Sequence, residues 1–152
     1  MIWLRTKLTF IMLAICWCFI FAGISFYWAA GGLIGVKSLG GDIYEMSVNP
    51  DPSFLFIVFL TGLIKLFGII PLLLLFKNWN QKIINQLLYY ITKTIGILLF
   101  FYGMLNFIFI TIGSLNMIEY NLDTYATFWR LIWWEPFWMV GGFFYFFSVQ
   151  KI

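Results

Sequence analysis

The chain has 152 residues, of which 63% are hydrophobic, 23% aromatic and only 10% charged, with a formal net charge of +3 and a mean hydropathy of +0.96. Soluble domains are about 25% charged, so this composition is that of an integral membrane protein. A hydrocarbon core of about 30 Å takes about 20 apolar residues to cross, so the length accommodates about four spans in a single domain over 1–152 and no soluble domain. The basic residues are scattered over loops and spans without forming a stripe, which argues against a nucleic-acid partner.

Apolar runs at 8–30, 54–76, 87–112 and 131–149 predict an all-α, four-helix transmembrane bundle with short loops. In the first run Cys18, Ala22, Ser25 and Ala29 recur at helical spacing, a small-residue stripe that lets backbones approach in lipid. The run is too long for the core of a cleavable signal peptide, and Trp28 stands three residues before a cut after Ala30, so it reads as a retained helix. Leu13-Ala14-Ile15-Cys16 faintly resembles a lipoprotein attachment site, but Ile15 stands where a small residue is needed. Cys16 and Cys18 leave a helix in different directions. There is no His, so no zinc or di-iron site is expected, and no cofactor. No Ser-His, Cys-His or Gly-rich phosphate template is present either.

The Gly-rich gap at 31–53 holds Asp42, Glu45 and Asp51, and Asp51-Pro52 reads as an N-cap followed by a first-turn proline. On the second helix Thr61, Lys65 and Gly68 share one face; Pro71 frees the carbonyl of Phe67 and predicts a bend just beyond Lys65. A tight basic turn at 77–82 leads to the third helix, where Thr92, Gly96, Gly103, Asn106 and Gly113 form a second stripe. Asn106 there is either interhelical glue or a ligand contact. Lys93 lies about 110° away from that stripe at about 100° per residue and serves a second interface or snorkels. The gap at 113–130 carries Glu119 and Asp123. Were Pro136 the first residue of the last helix, only about 21 Å of helix would remain, so this helix is expected to start near Phe128 and bend at Pro136.

Arg5, Lys7, Lys77, Lys82 and Lys151 would fall on one side, and Lys37 and Arg130 on the other. The positive-inside rule then places both termini in the cytoplasm. Trp3 and Trp79 belong to the cytoplasmic interface. Trp28, Trp129, Trp133, Trp134 and Trp138 lie toward the outer ends, more indoles than anchoring needs, and good walls for an apolar or cationic ligand.

A charge within the bilayer marks a functional site by default. Lys65 lies about 17 Å from the cytoplasmic end of its helix at 1.5 Å per residue. Glu135 lies about 20 Å from the corresponding end of its own helix by the same rise. The two are expected to form an intramembrane ion pair.

The segments Phe26-Tyr27-Trp28-Ala29-Ala30-Gly31-Gly32, Leu39-Gly40-Gly41, Asp51-Pro52, Thr61-Gly62-Leu63-Ile64-Lys65 and Tyr102-Gly103 form a set with Arg130, Trp134-Glu135-Pro136-Phe137-Trp138 and Gly141-Gly142. Together they resemble a group of small bacterial membrane proteins, the domain of unknown function, family 3995. In that pattern Asp is commoner before the proline and Trp after it; Glu135 keeps the carboxylate, while Phe137 lacks an indole donor. The resemblance implies a membrane-embedded helical fold with no established activity, and it links Trp28, Lys65, Arg130 and Glu135 across separate helices.

Three functions fit these residues, beside a purely structural polar network that fixes helix register. The first is a binding or accessory module, with an outward aromatic pocket holding a lipid-like molecule or a partner helix over Lys65 and Glu135. Its candidate residues are Lys65, Glu135, Arg130, Trp28, Trp134, Trp138, Thr61 and Asn106. The second is a small proton-coupled transporter or channel, as a homo-oligomer. The third is an intramembrane enzyme acting on a lipid through Glu135, although no catalytic motif supports it. A blind internal cavity rimmed by Trp28, Trp134 and Trp138 would favour binding; a continuous polar path or inverted pseudo-symmetry would favour transport.

Overall fold

The computed structural model describes residues 2–77, 79–115, 117 and 122–149, with side chains from Thr6 onward. The side chains of Trp3 and Arg5, and all of Glu119 and Lys151, lie outside the described residues. Among the described residues every regular element is helical: α1 (Ile2–Ala29), a 3-10 turn (Val36–Ser38), α2 (Gly41–Val48), α3 (Pro52–Phe67), α4 (Ile69–Leu74), α5 (Lys82–Ser114), α6 (Thr124–Trp129), a π-helical turn (Arg130–Trp134) and α7 (Glu135–Ser148). Three helical stretches are long and apolar enough to cross a membrane: Thr6–Ala29, Pro52–Leu74 and Lys82–Ser114.

Local chemistry sets the helix ends. At the end of α1 the Gly31 N–H donates to Trp28 O at 2.9 Å and the Gly32 N–H to Tyr27 O at 3.0 Å. This paired closure needs a left-handed residue, and Gly31 supplies it with φ of 86°. At the start of α3 the Asp51 carboxylate accepts the Phe54 N–H at 2.9 Å, as the Asp-Pro dipeptide predicts, and this bond holds the carboxyl below the usual carboxylate range. Asp123 caps α6 likewise, accepting the Ala126 N–H at 2.6 Å.

α1 packs against both α3 and α7, and α7 runs along α5. Between α5 and α7 the backbones nearly touch: a Cβ on Gly96 would lie 2.7 Å from Phe146 N, and one on Gly142 would lie 2.5 Å from Phe100 N. In lipid, where apolar burial gives helices little reason to associate, such approach supplies the dispersion contact that holds them. Trp17, whose place in an apolar run gave no hint of its role, lies flat on α7. Its Nε1–H donates to Phe137 O at 2.8 Å, and its ring covers Gly141, where a Cβ would collide with the indole.

The structure departs from expectation in two places. The gap at 31–53 is no short loop, since it contains α2. The interruption just beyond Lys65 is as expected and falls at Gly68, whose carbonyl accepts the Tyr145 hydroxyl at 2.8 Å. The last helical stretch begins at Thr124, earlier than Phe128, and meets Pro136 with a bulge. Proline lacks an N–H and its ring clashes with the carbonyl four residues back. The chain widens accordingly, and the Glu135 N–H reaches Arg130 O, five residues back, in a π turn.

Candidate functional site

The π turn determines which side chains meet. On a regular α-helix residues five apart diverge by about 140° at about 100° per residue; the wider turn stacks them. Arg130 Nε donates to Glu135 Oε1 at 2.9 Å and Arg130 Nη2 donates to the same oxygen at 2.6 Å. The carboxylate is 2% exposed and the guanidinium 22%. The other carboxylate oxygen, Glu135 Oε2, is buried and has no hydrogen-bond partner.

The expected Lys65–Glu135 pair is therefore replaced by an Arg130–Glu135 pair. Lys65 Nζ donates instead to Ser25 Oγ at 2.6 Å, and the Ser25 hydroxyl donates in turn to Phe21 O at 3.3 Å. The ammonium sits 4.1 Å from the Phe21 ring centroid and 5.8 Å from that of Trp138, within cation–π range. Among the described residues no carboxylate pairs with it. Ser25, read from sequence only as a small packing residue, is its one side-chain acceptor.

Lys65, Thr61, Arg130, Glu135 and the indoles of Trp28, Trp134 and Trp138 all line one cavity of about 300 Å³. Part of its wall comes from the segment between α1 and α3, through Leu39, Ile43 and Ser47, and two of these indoles hold that segment down. Trp28 Nε1–H donates to Ile34 O at 2.9 Å and Trp134 Nε1–H to Ser38 Oγ at 2.8 Å. Trp138 has no such duty: it packs on Phe21 and Tyr102, with centroids 4.5 and 5.0 Å apart, and forms a wall. Leu39, Ile43 and Phe54 give the same cavity an apolar side.

A second cavity of about 480 Å³ lies between α3 and α5 and shares Thr61, Lys65, Tyr102 and Trp138 with the first. It extends past Ile64, Ile95 and Leu99, and Ile64 is 68% exposed, so this cleft reaches the lateral surface. Asn106 is not part of either cavity; its Nδ2 donates to Tyr102 O on its own helix at 2.8 Å. Lys93 turns back along α5, donating to the Tyr89 hydroxyl at 3.1 Å. Cys16 is exposed and Cys18 buried, both free.

Apolar helices of spanning length, buried charges and a cavity between them define an all-helical membrane protein with a polar interior site. The chain belongs to the family described as "Protein of unknown function (DUF3995)", whose model matches residues 18–145. No curated protein and no solved structure matches it.

Proposed function

We propose that the protein is a four-span binding module of the bacterial cytoplasmic membrane that holds a lipid-like amphiphile in the cavity around Lys65 and Glu135. The fourth span is the continuous helical stretch 124–148, which rises about 36 Å against a core of about 30 Å. The basic residues favour cytoplasmic termini, which turns the Trp28 end of the cavity outward.

The observation that carries this reading is Glu135 Oε2. A network serving only to fix helix register would satisfy its members, because a buried acceptor left unpaired costs about 1–3 kcal/mol, more for a charged group. Here that acceptor is buried in a residue that lines a cavity, and the cavity also holds an ammonium with no carboxylate partner among the described residues. An ion in a hydrocarbon setting costs about 2.5–3.5 kcal/mol. A ligand with both a donor and a negative charge would offset the two together, and the apolar side of the cavity suits its hydrocarbon part.

Lys65→Met is expected to strip the purified protein of its bound lipid, while Lys93→Met leaves it in place and changes stability by no more than about 0.5 kcal/mol. Mass spectrometry of lipids extracted from the two variants and the parent protein makes the comparison. Equal lipid content in all three would remove the basis for the proposal.

A further inference from the structure

We infer that the occupant is a phosphodiester lipid of single negative charge with a hydroxylated head, the chemistry of phosphatidylglycerol, its phosphate on Lys65 Nζ and a head hydroxyl on Glu135 Oε2. This rests on the binding reading and specifies its ligand.

Charge selects the phosphate. Arg130 and Glu135 cancel each other, so the site is left with the single positive charge of Lys65. One of its three N–H donors goes to Ser25 and one flank is covered by the Phe21 ring. Its remaining donors meet a ligand in the cavity that Lys65 lines. A neutral or zwitterionic head leaves the excess charge in place. An ammonium head would add a cation beside the uncompensated charge of Lys65, with the Glu135 carboxylate already paired to Arg130.

The hydroxyl is selected by the unpartnered oxygen. Glu135 pairs with Arg130 through Oε1 and nothing donates to its Oε2, so the ligand must bring an O–H or N–H. A fatty acid ionised to meet Lys65 has no donor left for it. A glycerol head esterified through phosphate carries one negative charge and its donors on neighbouring atoms.

The tails leave through the cleft between α3 and α5. That cavity begins at the same Lys65, Thr61, Tyr102 and Trp138 that bound the head site and continues along apolar Ile64 and Leu99. Ile64 lies on the lateral surface, so acyl chains reach the bilayer without passing the segment between α1 and α3.

The test is native mass spectrometry of the full chain in detergent with three lipids of matched acyl chains: phosphatidylglycerol, phosphatidylethanol (the same charge, no hydroxyl) and phosphatidylcholine. Soluble glycerol 3-phosphate serves as competitor. Phosphatidylglycerol is expected to bind roughly tenfold better than phosphatidylethanol, the worth of one hydrogen bond to a charged group, and phosphatidylcholine weakest. Lys65→Met is expected to bring all three to the phosphatidylcholine level. The comparison on the parent protein does not depend on any variant folding. Equal binding of phosphatidylglycerol and phosphatidylethanol overturns the role of Glu135. Equal binding of all three overturns the whole inference while the binding module stands, and displacement by glycerol 3-phosphate at equal concentration overturns the tail path. Failure of every lipid to bind overturns the binding reading itself.

Discussion

Replacing Glu135 with leucine is expected to destabilise the protein by about 3 kcal/mol, the lower part of the range for breaking a buried ion pair. The value lies low because Arg130 is 22% exposed and recovers some hydration when orphaned. The cost comes less from the lost attraction than from the guanidinium left facing an apolar surface. Removing both charges together, as Arg130→Met with Glu135→Leu, leaves nothing orphaned and should recover most of the loss. It also removes Oε2, a buried acceptor that no group of the protein satisfies. Denaturant titration of the single and double variants in mixed micelles measures the coupling. A double variant as unstable as the sum of its parts would mean that the two side chains do not act as a pair.

This pair also marks where the sequence stopped being legible. The first three spans, the Asp51 cap and the inward face of Thr61, Lys65 and Gly68 follow from rules that operate within one helix, and there the chain obeys them. Pro136 was legible as a disturbance but not as a π turn, because loss of an N–H can be absorbed by a kink or by a bulge. The choice between these depends on what packs against the helix. Only the bulge stacks Arg130 under Glu135, since residues five apart diverge on an α-helix. Depth along the helices matches Lys65 to Glu135 and leaves Arg130 at the outer end, so the sequence alone favours Lys65 as the partner. Its actual acceptor, Ser25, is the kind of small residue that lipid-buried helix interfaces use for packing, so its type carried no signal of a polar role. Trp17 and Gly141 are similar: each has an ordinary explanation alone, and only the fold sets the indole on the glycine.

The arrangement ties stability to the site through the helices. α5 contributes Tyr102 to both cavities, and α7 contributes Glu135 and Trp138. The distance between these two helices therefore sets the width of the wall where the Tyr102 and Trp138 rings meet, with centroids 5.0 Å apart. That distance is controlled elsewhere, by glycines that line neither of these two cavities.

Gly142→Ala is accordingly expected both to destabilise the protein and to weaken lipid retention, although residue 142 borders neither cavity around Lys65. The added Cβ would lie 2.5 Å from Phe100 N and 2.6 Å from Gly96 O. These are backbone atoms of α5 that cannot rotate aside, so the helices must separate by about 1 Å to restore ordinary contact at about 3.5–4.0 Å. Overpacking of this kind costs about 1–3 kcal/mol. Gly103 transmits the shift to the site, because α5 rests there on the backbone of Glu135 and the Cβ of Trp138. Gly23→Ala is the matched control: a Cβ there meets nothing within 4 Å, and the gain in helix propensity is up to about 1 kcal/mol. Denaturation in mixed micelles and lipid extraction on the two variants should therefore move in opposite directions in stability, with retention lost only for Gly142→Ala. Unchanged retention in a destabilised Gly142→Ala protein would separate the α5–α7 contact from the site and assign those glycines to packing alone.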